Sequence, residues 1–274
     1  MASTKFTHAI VSRVPDIFSK QANSCSTINL QLARNQHLAL LTAIRGLGVD
    51  VLELPPDENS LDSVYTQDLA IIVNGIALMC RPGPHRQAEV DNVKAVLKKE
   101  LHQTVVEPTS SKALLSGSDV LFTGREFFVG ISQSTNTEGA VAVAATWPEY
   151  PCTPVKVDGP YHLKTFLNMA GPEVISVGAG PEAQNILKRM EREATHRYQT
   201  LTLPEDRAAN CLFVNGTLIH KSKDEAPKSD HVFSAKIDFP RIPLPISEFS
   251  KTPSQRPLSS LIILLRKTKH VRRI

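Results

Sequence analysis

The chain has 274 residues, 41% of them hydrophobic and 21% charged, with a formal net charge of +4. That balance suits a globular protein of one large or two ordinary domains, and no apolar run reaches the roughly 18 residues that a membrane span requires. The positive excess gathers in Arg266, Lys267, Lys269, Arg272 and Arg273. With no aromatic residue interleaved, this stretch reads as a solvated tail over 266–274, not as an arm for nucleic acid or membrane. Met1 to Lys5 lack the basic start and long apolar stretch of a secretory signal, so the expected location is cytoplasmic. Cys25, Cys80, Cys152 and Cys211 show no metal-ligand spacing and read as reduced thiols.

In chain order, residues 7–12 read as a short strand, and apolar residues at near-helical spacing predict a helix from about Thr27 to Ile44, ended by Gly46 and Gly48. Val51 to Leu54 is a strand stopped by Pro55-Pro56, followed by a polar loop from Asp62 to Asp68. Leu69–Val73 and Ile76–Met79 flank Asn74-Gly75, a strong two-residue hairpin signal. A helix follows from Arg86 to Leu101, then a strand over 104–106. The densest strand-turn-strand signal is 119–130, where Val120–Phe122 and Phe127–Val129 flank Thr123-Gly124. Its closest echo, at Asp68, also begins with an aspartate.

The pattern continues with 139–145 and a strand over 153–157. Next come a hairpin of 163–169 and 174–177 about Gly171-Pro172, a helix from Pro181 to about Tyr198, and a strand from Thr200 to Leu203. Cys211–Val214, Asn215-Gly216 and Thr217–His220 open a fourth copy. The marker glycines 75, 124, 171 and 216 are about 49, 47 and 45 residues apart, within the range of repeat architectures. Each unit reads hairpin, helix, strand, and the first 60 residues supply most of a fifth. The implied class is α/β with repeated small sheets, and closure into a ring would hide their edges. A two-layer α/β fold is the other arrangement this alternation allows. The aliphatic run Leu261 to Leu265 is expected to close the ring beside the strand at 7–12.

The string Asp119-Val-Leu-Phe-Thr-Gly-Arg-Glu-Phe-Phe-Val-Gly130 resembles the signature hairpin of the dimethylarginine dimethylaminohydrolases. Leu54-Pro-Pro-Asp-Glu, the Asp62–Asp68 loop, Arg81-Pro-Gly, His162-Leu-Lys, Met169-Ala-Gly-Pro and Ala208-Ala-Asn-Cys look like further family segments in order. The resemblance implies a pentein-type α/β propeller, five pseudo-repeated units around a central channel, as one domain over 1–265. It also implies conversion of asymmetric dimethylarginine or monomethylarginine to citrulline and an alkylamine, by attack of a cysteine thiolate on the guanidinium carbon, with no cofactor and no metal. The implied partner is a small methylarginine; no nucleic acid or membrane is expected, and the protein would be a monomer or weak homodimer.

Such chemistry needs carboxylates around a planar cation, a histidine to protonate the leaving amine and activate water, and arginines for the substrate's own carboxylate. By resemblance, Asp62 and Asp68 are substrate-binding, Gln67 stands where the family usually has glutamate, and Arg86 clamps the substrate carboxylate. His162 is the acid/base residue. Ser134 replaces the usual second arm of the clamp, and Ser116 replaces a family acid.

The largest departure is the nucleophile. No cysteine follows Cys211, and Ser259 or Ser260 occupies roughly its place, with Leu258 or Ile262 as other candidates. Two readings follow. One is a hydrolase whose C-terminal segment from about Thr252 is atypical. The other is a family member that kept the ring, lost catalysis, and acts as a ligand-binding or regulatory protein.

Overall fold

Asn74 and Asn215 adopt φ of 52° and 49°, and Gly75 and Gly216 follow at 80° and 90°, so both Asn-Gly pairs form the left-handed two-residue turns that match strand twist. Around such turns the chain repeats one pattern. A strand pairs antiparallel with the next, a helix crosses over, and a third strand lies parallel to the second. The structure, a computed structural model, describes residues 5–22, 27–252 and 256–267.

β1 (His8–Ser12) and β2 (Asp50–Leu54) are joined by the helix Leu30–Gly46. β3 (Ala70–Val73), β4 (Ile76–Met79) and β5 (Thr104–Val106) form the next sheet, and β6 (Val120–Phe122), β7 (Phe127–Ile131) and β8 (Cys152–Lys156) another. β9 (Leu167–Gly171), β10 (Val174–Gly178) and β11 (Gln199–Leu203) follow, then β12 (Leu212–Val214), β13 (Thr217–Lys221) and β14 (Arg241–Leu244). β15 (Ile263–Leu265) runs antiparallel beside β1, with His8 opposite Leu265 and Ile10 opposite Ile263, while β1 is parallel to β2. Of the aliphatic run Leu261–Leu265, the last three residues complete the first sheet as expected, while Leu261 ends the helical turn ahead of it. Apolar side chains fill the spaces between sheets and helices. Phe127, for example, stacks on Trp147 at 5.1 Å and on Phe122 at 4.5 Å.

Four expectations change. Residues 163–166 are a helical turn, and the strand starts only at Leu167. The reversal falls at Pro172-Glu173, with Glu173 at φ 61°, because Gly171 serves packing: a Cβ there would meet the Phe239 ring at 2.9 Å. The helix from Pro181 ends at Glu193: the Ala194 N–H still donates to the Met190 carbonyl, and those of Thr195 and His196 donate to the Glu126 carboxylate instead. The helix Pro227–Lys236 and β14 have no counterpart in the sequence pattern; for β14 the prolines at 240, 243 and 245 mask a parallel edge strand.

A short helical turn leads into each sheet: Thr66–Leu69 before β3, Gly117–Asp119 before β6, Leu163–Phe166 before β9, Asp206–Ala209 before β12 and Leu258–Leu261 before β15. The first, second and last of these touch one another, and the third bridges the second to the fourth. Gly117 permits the closest approach, since a Cβ there would lie 2.0 Å from the Gln67 carbonyl oxygen. The five turns thus gather in one place; Gln67, Asp68 and Ser259 sit on them, and Ser116 and His162 stand at the N-cap positions of two.

Candidate functional site

Asp68, on the turn before β3, is 1% exposed and accepts four hydrogen bonds. Ser118 Oγ and Ser116 Oγ reach one carboxylate oxygen at 2.6 and 2.9 Å, while Arg256 Nη1 and Arg86 Nη1 reach the other at 2.7 and 3.0 Å. Burial alone would push this carboxyl up. The Arg256 and Arg86 guanidinium groups outweigh burial and hold it well below the usual carboxylate range.

Asp119, at the corresponding place before β6, is fully buried. It accepts from Ser132 Oγ and Thr135 Oγ1, both at 2.8 Å, and from the Leu163 N–H at 2.9 Å. Its Oδ2 also lies 3.0 Å from His162 Nδ1. A carboxylate can only accept, so Nδ1 carries the proton and Nε2 presents a lone pair. Arg256 Nη1 donates to that lone pair at 2.6 Å.

Arg256 thus lies between the two acidic turns. Its guanidinium also stands 5.2 Å over the Tyr65 ring and 4.0 Å from Asp62, and its side chain is only 10% exposed. Asp62 itself accepts from Gln21 Nε2 at 2.9 Å.

Arg86, expected to clamp a substrate carboxylate, is held here by groups of the protein itself. Its Nε lies 3.1 Å from Glu89 Oε1, Nη2 reaches Glu89 at 2.7 Å and the Tyr65 carbonyl at 3.1 Å, and Nη1 holds Asp68. All three nitrogens are engaged inside the protein. Gln67 is half-buried, and its side-chain oxygen has no hydrogen-bond partner among the described residues. Ser134 donates its backbone N–H to Ser132 Oγ, and no described contact joins its side chain to the cluster.

Ser259 is buried with Oγ 3.4 Å from Asn168 Oδ1, and Ser260 Oγ donates to the Pro257 carbonyl at 2.6 Å. Leu258 and Ile262 are packed in the apolar core. Both ring nitrogens of His162 are engaged by Asp119 and Arg256, so neither serine bonds to the base among the described contacts.

The described thiols offer no substitute. Burial, with Asp68 adding to it, pushes the Cys80 thiol well up, and burial raises Cys211 to about 12 and Cys152 to about 11. Cys25 lies outside the described residues. Lys164 Nζ donates to the Gly117 carbonyl at 3.1 Å, and burial lowers its pKa to about 8. Among the described residues no group of three or more His, Cys, Asp or Glu side chains is arranged to hold a metal, and no helix is long and apolar enough to cross a membrane.

The structure brings together Asp62, Asp68, Arg86 and His162, keeps Ser259 bonded elsewhere, and adds Asp119, Ser118, Glu89 and Arg256. For Asp119 a signal existed in the echo between the two hairpins that begin with aspartate. Arg256 carries none, being one arginine in a proline- and serine-rich stretch.

Residues 3–210 match the family model for eukaryotic N,N dimethylarginine dimethylhydrolase. The chain belongs to the dimethylarginine dimethylaminohydrolase family. That family match ends before the segment bearing Arg256 and Ser259. Over nearly the full length, 96% of this chain and 95% of the relative, it is 36% identical to the human putative hydrolase DDAH2. It is 29% identical to the N(G),N(G)-dimethylarginine dimethylaminohydrolase of Pseudomonas aeruginosa over 68% of this chain and 72% of that one. The solved Pseudomonas aeruginosa enzyme of this family, as a Cys-to-Ser mutant complexed with citrulline, superimposes with a TM-score of 0.79 at 23% identity, covering 95% of this chain and all of that one. The N-terminal domain of ArgZ, a cyanobacterial arginine dihydrolase, gives 0.76 at 17% identity over 96% and 98%. The family fold is the pentein propeller, and the five small sheets described above conform to it.

Proposed function

We infer that this family member uses its cluster of carboxylates to hold the guanidinium of a methylarginine-type ligand and does not hydrolyse it through a thiolate. The observation that carries this reading is the position of Arg256. A planar guanidinium already sits on Asp68 at 2.7 Å, on His162 Nε2 at 2.6 Å and over Tyr65, so the geometry suits that group and its charge. Asp62 and Asp68 supply the negative charge, and His162, fixed by Asp119, supplies a directed acceptor. Relatives in the family are named for action on dimethylarginine, and a solved one holds citrulline. Both point to ligands of this shape.

Hydrolysis would also require a nucleophile within reach of the guanidinium carbon and activated by a base. Ser259 faces Asn168, and the described thiols have raised pKa values. These features support binding without turnover.

The test is calorimetry with NG-methyl-L-arginine on wild type and Asp68→Asn. The variant keeps the shape of the side chain and loses the charge that meets the cation. Binding by wild type, weakened at least roughly tenfold in the variant, is the expected outcome, since a charge-assisted bond of about 1.5–3 kcal/mol is lost. Equal affinity for both proteins would place the ligand elsewhere and sink the reading.

A further inference from the structure

Two arginines meet at Asp68, and they are held in unlike ways. Arg86 uses Nε, Nη1 and Nη2 together against Glu89, Asp68 and the Tyr65 carbonyl, as expected of a guanidinium that belongs to the framework. Arg256 engages Asp68 and His162 through Nη1, approaches Asp62 only to 4.0 Å through Nη2, and leaves Nε buried with no partner among the described residues. A buried donor left unmatched marks poor complementarity between the group and its surroundings.

Nor does the site need Arg256 to stay assembled. Without it Asp68 keeps Arg86, Ser116 and Ser118, and His162 keeps Asp119. What would change is the charge. Asp62, Asp68, Glu89 and Asp119 would face only Arg86 and Lys164, an acidic excess that calls for a cation.

We propose that Arg256 is an internal ligand: its guanidinium fills the site that receives a free guanidinium compound, and the two exclude each other. This rests on the guanidinium-binding reading above and adds its regulation. Arg256 and an incoming guanidinium would need the same Asp68 oxygen and the same His162 lone pair, so both cannot be satisfied at once. A tethered group competes at an effective concentration in the millimolar range. The apparent affinity for a free ligand is therefore reduced by the fraction of molecules whose site Arg256 leaves open. The site is self-occupied at rest. Ligand binding is coupled to withdrawal of the Arg256 side chain, which lies just ahead of the turn Leu258–Leu261 and of β15.

The experiment compares full-length wild type, Arg256→Ala and Arg256→Lys by calorimetry with NG-methyl-L-arginine, and with methylguanidinium as a probe of the cation subsite alone. Thermal melts establish that each variant is folded. In parallel, side-chain NMR of wild type labelled with 15N-arginine follows the Arg256 guanidinium, assigned by its loss in Arg256→Ala.

The proposal expects Arg256→Ala to bind both probes at least roughly tenfold more tightly, with Arg256→Lys between it and wild type. It also expects a guanidinium signal protected from exchange in free wild type that loses protection at saturating probe. Equal affinity in wild type and Arg256→Ala, with binding still weakened by Asp68→Asn, would overturn the internal-ligand proposal and leave the guanidinium-binding reading intact. Weaker binding by Arg256→Ala would make Arg256 part of the ligand site and also overturn it. If Arg256→Ala, folded and with its site open, bound neither probe, the binding reading would fail and the competition with it.

Discussion

Asp68 and His162 show how one side chain takes its properties from its neighbours. A carboxyl as buried as Asp68 would ordinarily resist ionisation, yet two guanidinium groups and two hydroxyls keep it charged. His162 is held by Asp119 in the tautomer that presents Nε2 as an acceptor. Lys164, buried beside them, is the group whose titration stability should report. Burial lowers its pKa to about 8 from an ordinary 10.5, so between these values the unfolded chain binds more protons than the folded one. Its contribution to stability therefore rises with pH from about 8 to 10.5, and the full burial penalty applies below 8. Lys164→Met removes this titration. Urea unfolding at stepped pH should show wild type gaining stability relative to Lys164→Met across that window; parallel profiles would show that Lys164 does not titrate as its burial implies.

At the level of elements, the site depends on the leading turns being pressed together. The turn Thr66–Leu69 carries Asp68, the turn Gly117–Asp119 carries Ser118 and Asp119, and His162 caps the turn Leu163–Phe166. Gly117 lets the first two meet, because its missing Cβ is the space in which the Gln67 carbonyl oxygen sits. Gly117→Ala should cost roughly 3 kcal/mol, at the upper end for forced overpacking, because the obstacle is rigid backbone. It should also weaken ligand binding, since Asp68 and the Ser116 and Ser118 hydroxyls would move apart. Chemical denaturation with a parallel titration checks both; an unchanged midpoint would show that the turns are not in tight contact.

At the scale of the whole molecule, the repeat was legible because each hairpin writes its own signal. Asn74-Gly75, Thr123-Gly124 and Asn215-Gly216 lie between short apolar runs, and the pairing of Ile263–Leu265 with β1 was legible from five aliphatic residues in a row at 261–265. The turn before β9 was not legible, because Leu163–Phe166 is as apolar as the strand it precedes. Nor was the environment of Arg86. A residue opening a helix reads as surface until the fold brings Asp68, 18 positions earlier, against it. Arg256 and Asp68 meet only through closure of the ring, a relation with no local trace in the chain.

If the ring holds a guanidinium without hydrolysing it, purified protein incubated with NG-methyl-L-arginine, at a concentration where calorimetry shows the site filled, should release no more citrulline than His162→Ala does. Citrulline formed by wild type, and abolished by His162→Ala or by Ser259→Ala, would show that the ring is a hydrolase.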